Sequence, residues 1–90
     1  MKLLEDCLRE QLHFKRELVA KIAVQMEEDV KAGVLSNETI ILNSIALDNF
    51  DAAAIWLEKN DYEQALHFYS RGCSNMGEFK GRTDKERNKS

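Results

Sequence analysis

Apolar residues recur every three or four positions through the amino-terminal part of the chain. Leu4, Leu8 and Leu12 follow at i+4, then Leu18, Ile22 and Met26 at the same interval, with Val19, Ala23 and Val30 widening the stripe. This period gives a helix one apolar face and predicts helix over about residues 2–32. Glu5–Arg9, Glu17–Lys21 and Glu27–Lys31 add acid-first i,i+4 pairs, worth roughly 0.2–0.5 kcal/mol each. At ~1.5 Å per residue such a helix is about 45 Å long, more than the width of a compact globule of this size. It must bend near Gln11–Arg16, where the stripe shifts, or project and pair with a second copy. Pairing is the expectation.

Gly33 ends this segment, because glycine adopts the left-handed conformation at little cost. Ser36 or Asn37 can cap the next helix, with Glu38 complementing its amino-terminal dipole. That helix is expected over about 38–59, with Ile41, Ile45, Ala52 and Ile55 near one side and Leu42, Ala46, Ala53, Trp56 and Leu57 extending it. Asp48-Asn49-Phe50-Asp51 either breaks it, since Asp and Asn compete for backbone hydrogen bonds, or forms a solvated patch on a continuous helix. Lys59-Asn60-Asp61 reads as a turn. Asp61 followed by Gln64 resembles a capping box and starts a last helix over about 62–76. Gly77 and Gly81 are expected to stop it. The pattern predicts an all-α fold: a long amino-terminal helix plus a carboxy-terminal helical hairpin, three to four helices in all. Residues 1–78 would form one helical domain and 79–90 a flexible tail.

Ninety residues bury only about 60–65% of their unfolded surface, so a monomer has little stability to spare and a dimeric bundle is expected. The absence of proline, 43% hydrophobic and 32% charged residues suit amphipathic helices. The net charge of −3 is uneven: residues 1–78 hold 8 Lys/Arg against 14 Asp/Glu, whereas the tail holds Lys80, Arg82, Lys85, Arg87 and Lys89 against Asp84 and Glu86. An acidic body does not attract nucleic acid over distance. The basic tail either touches phosphate or an acidic protein surface, or is a frayed, solubilising terminus. Cys7 and Cys73 lack metal or redox spacing and read as free buried thiols. Charges at Lys2, Glu5, Asp6, Arg9 and Glu10 interrupt any signal-like stretch, and no run is expected to approach the roughly 18 apolar residues of a membrane span. The expectation is a cytoplasmic protein with no membrane partner.

No catalytic motif, phosphate loop or metal-spaced Cys/His set is present, so neither an enzyme nor a cofactor is expected. His13 and His67, each beside a phenylalanine, read as half-buried packing residues. Ala53, Trp56, Leu57, Tyr62, Ala65 and Tyr69 form the one constellation with content. Small residues at 53 and 65 allow two antiparallel helices to approach closely, and the aromatics flank the contact. They are either the hairpin's own core or, in part, a surface for a partner; Trp56, Tyr62, Phe68 and Tyr69 are the candidate partner-binding residues.

The hairpin resembles a single tetratricopeptide unit, with Ala53, Trp56, Tyr62, Ala65 and Tyr69 on that repeat's small and aromatic positions. Gly72 stands where alanine is usual there, and the terminal proline is missing; one unit excludes an array. The stretch from Phe50-Asp51-Ala52-Ala53-Ala54-Ile55-Trp56-Leu57-Glu58-Lys59-Asn60-Asp61 to Tyr62-Glu63-Gln64-Ala65 also resembles the PerC/ANR-type small regulators of enteric bacteria and their phages. That pattern is an alanine-rich helix, a Leu-Glu pair, a polar turn and a Tyr-x-x-Ala helix. This chain departs in lacking the last helix's tryptophan near Phe68–Tyr69, in reducing the closing Arg-rich stretch to Lys85-Glu86-Arg87, and in its long first helix.

The resemblance implies a small cytoplasmic virulence or phage regulator that modulates transcription by contacting other regulators. The expected function is therefore a homodimeric, non-enzymatic adaptor. A small secretion chaperone or assembly factor that sequesters a partner helix is the alternative. Direct DNA binding is disfavoured, because helix 62–76 offers only Arg71 and His67 as polar readers, so any nucleic-acid role is indirect.

Overall fold

Two residues in the left-handed region divide the chain. Gly33 has φ 70° and Asn60 has φ 63°. Each sits just past a helix and closes it with the same pair of backbone bonds. Gly33 N–H donates to Val30 O (3.1 Å) and Val34 N–H to Asp29 O (3.0 Å); Asn60 N–H donates to Leu57 O (3.0 Å) and Asp61 N–H to Trp56 O (3.0 Å). These are Schellman closures, which satisfy the last carbonyls of a helix. The next helix starts at once in both places. Ser36, extended at φ −72° and ψ 158°, accepts from Thr39 N–H, and Asp61 Oδ1 accepts from Gln64 N–H at 3.1 Å.

The computed structural model describes residues 2–88, and the side chains of 3–88. It contains three helices in up–down–up order: α1 (Lys2–Lys31), α2 (Asn37–Glu58) and α3 (Tyr62–Asn88). No strand occurs among the described residues. The fold is all-α, and the hairpin turns at Asn60–Asp61.

α2 runs through Asp48–Asp51 without a break. Asn49 and Asp51 find partners on the flanking helices, and Asp48 faces solvent. Asn49 Nδ2 donates to Asn75 Oδ1 of α3 at 2.7 Å, and Asp51 Oδ1 lies 2.9 Å from Arg16 Nε of α1. Between those polar links Phe50 is fully buried. It anchors the main core with Leu8, Leu12 and Val19 of α1, Ala46, Ala53 and Leu57 of α2, and Ala65 of α3. Ala46, Ala53 and Ala65 have no exposed surface, so small residues mark the closest helix approach.

α3 continues past Gly77 and Gly81 to Asn88, which corrects the expected stop and the expected free tail. A helical glycine costs only about 1 kcal/mol. Burial of Phe79 and Thr83 outweighs that, and Phe79 joins Met26 and Leu35 in a second core cluster with Ile22, Val34, Ile40 and Leu42 around it. The cations assigned to the tail are part of this helix. Arg87 pairs with Asp29 of α1, Arg82 pairs with Glu38 of α2 and Glu78 of its own helix, and Lys80 and Lys85 also lie on α3. Lys89 lies outside the described residues.

The longer α3 also answers the problem posed by α1. The molecule measures 48 × 18 × 16 Å, so an uninterrupted α1 lies along its length without the bend at Gln11–Arg16. A further correction concerns α2. It is long and apolar enough to cross a membrane by length and composition alone: an 18-residue window, interrupted only by Asp48 and Asp51, has mean hydropathy 1.3 and is 28% buried.

Candidate functional site

α2 packs against both neighbours, whereas α1 and α3 approach each other only sparingly. Their separation leaves a groove of about 460 Å³ on the face opposite α2. Its apolar lining comes from Leu18 and Ile22 of α1 and from Cys73, Met76 and Phe79 of α3; Lys15, Gln25, Lys80, Asp84 and Arg87 contribute the polar lining. Lys15 and Lys80 stand against one carboxylate, Asp84, because the third cation, Arg87, is paired with Asp29 of α1. Arg87 is held in place, with Nε 2.9 Å and Nη2 2.5 Å from Asp29 Oδ2.

Two features of the groove are left open by the packing. Gly77 lines it in mid-helix, and a Cβ built there meets nothing within 4 Å. Thr83 lines it too. The residue is 4% exposed, and its buried hydroxyl has no hydrogen-bond partner among the described residues. A buried polar atom without a partner is costly, and a bare helical position admits another backbone closely.

At the end of α3, Glu86 clasps the start of α2. Its carboxylate accepts from Ser36 N–H (Oε1, 2.5 Å) and from the Thr39 hydroxyl (Oε2). The Thr39 hydroxyl, followed by the Ser36 N–H, holds the Glu86 pKa below its ordinary value. A carboxylate also suits the positive end of a helix dipole. This clasp fixes the distal wall of the groove, since Thr83 and Arg87 flank Glu86 on the same helix.

The residues singled out from sequence lie elsewhere. Trp56, Tyr62, Phe68 and Tyr69 are all half-buried against the main core, and none of them lines the groove. Tyr69 packs on Phe50 with ring centroids 5.9 Å apart and a tilt of 49°. Burial, with a contribution from Cys73, raises the Tyr69 pKa. Lys59 Nζ sits 5.1 Å over the Trp56 ring, and His67 meets Phe68 edge-on at 5.3 Å. Both histidines are exposed instead of half-buried, with His13 paired to Glu17 at 3.2 Å. Both cysteines are free; Cys73 is half-buried beside the groove, but Cys7 is exposed, contrary to expectation. No cluster of three or more metal-ligating side chains occurs among the described residues.

The α3 wall of the groove, though not the groove itself, had a signal in the sequence. Ala65, Tyr69, Gly72, Met76, Phe79 and Thr83 alternate at steps of four and three, which is a helix seam running straight through the glycines. Comparison with protein-family models, with curated proteins and with solved structures returns no match for this chain.

Proposed function

We propose that the protein is a small, non-enzymatic regulatory adaptor of the cytoplasm that receives an amphipathic helix of a partner protein in the groove between α1 and α3. The observation that carries this reading is the apolar groove with surplus cations around it, together with the bare Cα of Gly77 and the unpartnered Thr83 hydroxyl in its lining. A helix laid there would complete a four-helix arrangement. Its apolar stripe would cover Ile22, Met76 and Phe79, and its acidic flank would meet Lys15 and Lys80. A transcription regulator is the partner implied by the PerC/ANR-like stretch 50–65, and any effect on DNA is then indirect. The same groove serves the second reading, a secretion chaperone that sequesters a helix of its substrate.

A photo-crosslinking residue placed at Lys80, and as a control at the exposed Glu63 outside the groove, tests the reading in cells. The expected result is one discrete adduct at Lys80, absent at Glu63 and lost when Ile22→Glu is added. Identification of the adduct as a transcription regulator supports the adaptor; a secreted protein supports the chaperone. Equal labelling at both positions, or labelling indifferent to Ile22→Glu, overturns the groove as the site.

A further inference from the structure

The most apolar helix of the bundle is also poorly covered. α2 carries the window of mean hydropathy 1.3, yet only 28% of that window is buried. Its outer face shows Ile41, Ile45 and Ile55 at 53%, 41% and 52% exposure, with half-buried Ala52 between the last two. A helix that is apolar all round belongs inside an assembly. α3 reaches this face only at Glu38, through Arg82, and no residue of the face lines the groove.

We infer that this face is the contact between two copies of the chain, packed antiparallel about a two-fold axis near residues 48–50. The first argument is spacing. Glu38, Ile41, Ile45, Asp48, Ala52, Ile55 and Lys59 alternate at steps of three and four, the interval of a helix–helix seam. The second is the order of residues along it. An isologous contact requires the stripe to complement itself when reversed. Here isoleucines stand at both ends, and Ile45 and Ala52 lie on either side of the middle, so large meets small across the axis.

Charge sets the direction. A parallel, in-register pair stacks Glu38 on Glu38, Asp48 on Asp48 and Lys59 on Lys59. The antiparallel pair brings Glu38 of one copy to Lys59 of the other at both ends of the seam, and leaves the two Asp48 side chains near the axis as its one like-charge contact. Glu38 is available for this: its side chain is 82% exposed and only loosely engaged by Arg82 at 3.4 Å. Lys59 is likewise at the surface, over the Trp56 ring. A bilayer suits the face less well, because Asp48 lies in the middle of the stripe and would be carried to the apolar centre.

The contact is small. A helix face about 30 Å long and 10 Å wide offers on the order of 300 Å² per copy, against roughly 800 Å² in a standard interface. The dimer is therefore weak and in rapid exchange. Asp48, near the axis, weakens it further.

Sedimentation velocity from low micromolar to near-millimolar concentration is the test. The expected result is a monomer–dimer equilibrium that shifts about tenfold or more toward monomer in the Ile41→Ser/Ile55→Ser double variant and toward dimer in Asp48→Ala. These positions are exposed, so far-ultraviolet circular dichroism should stay unchanged and separate lost association from lost folding. In a Cys7→Ser/Cys73→Ser background, a mixture of Glu38→Cys and Lys59→Cys chains should oxidise to the mixed dimer. Each overturning result is distinct: a monomer throughout, including Asp48→Ala; a dimer insensitive to the double variant but lost on Ile22→Glu; disulfides only between like chains; or insertion of α2 into phosphatidylcholine vesicles.

Discussion

The ring of Phe50 lies directly on the bare Cα of Gly72. A Cβ at position 72 would stand 2.5 Å from Phe50 Cε1 and 2.7 Å from Cδ1, inside any ordinary contact. Phe50 is fully buried and cannot swing aside into solvent. An alanine at this place is therefore opposed by the aromatic on the facing helix. Gly72→Ala gains up to about 1 kcal/mol of helix propensity and loses about 1–3 kcal/mol to overpacking, so the net effect is destabilising. Urea unfolding should show a lowered midpoint, and Phe50→Leu in the same chain should recover part of it. An unchanged or raised midpoint would mean that the core yields at this contact.

Gly77 makes the opposite case. It stands one and a half turns further along α3, and its Cβ direction is open. Gly77→Ala should raise stability by about 0.4–1 kcal/mol, because the unfolded chain loses freedom and nothing is crowded. The same substitution should weaken groove crosslinking at Lys80 if a partner helix approaches closely there. A gain in stability with full crosslinking would assign the glycine no role in recognition.

The Glu86 clasp makes stability pH-dependent in a defined direction. Its carboxyl is held below the ordinary value of 4.5 by the Thr39 hydroxyl and the Ser36 N–H. A group with a lowered folded-state pKa contributes stability that is complete above the unfolded value and is lost as pH falls through the folded one. Glu86→Gln should thus be less stable than the parent at neutral pH, and the difference should shrink steadily as pH falls below 4.5. Unfolding midpoints of the two proteins measured in parallel cancel the titration of every other carboxylate. A gap that stays constant with pH would remove the clasp as its source.

What was legible in this chain was local. Gly33, Ser36, Asn60 and Asp61 act through their own backbone or the next turn, and each does what its residue type dictates. The length of α3 was hidden because a glycine's stop signal is an intrinsic preference of about 1 kcal/mol, while Phe79 and Thr83 draw on contacts with segments far away in sequence. α1 outruns a hairpin that stops at Gly77, and it matches one whose second helix continues to Asn88. The groove was harder still. Its walls are more than 40 residues apart in the chain and face each other almost without touching, so no periodicity within either helix announces the gap. Trp56, Tyr62, Phe68 and Tyr69 attracted attention by residue type, and the packing against Phe50 and its neighbours accounts for much of their surface.

Asn49 and Asn75 test why α2 stays whole through its polar run. Their side-chain amides bond at 2.7 Å across the α2–α3 contact, both half-buried. Asn49→Ala leaves the Asn75 amide without this partner in a partly dry site, which costs about 1–2 kcal/mol. Asn75→Ala should cost about the same, for the mirrored reason. The double variant removes both polar groups together, so its loss should be well below the sum of the singles, with an interaction energy of at least about 0.5 kcal/mol in a double-mutant cycle. Helical content should not change in any of the three, because alanine supports α2 at least as well as asparagine does. Additive losses would mean that the two side chains act independently and that the continuity of α2 owes nothing to this bond. A drop in helicity for Asn49→Ala alone would place the weak point of the helix at the run itself.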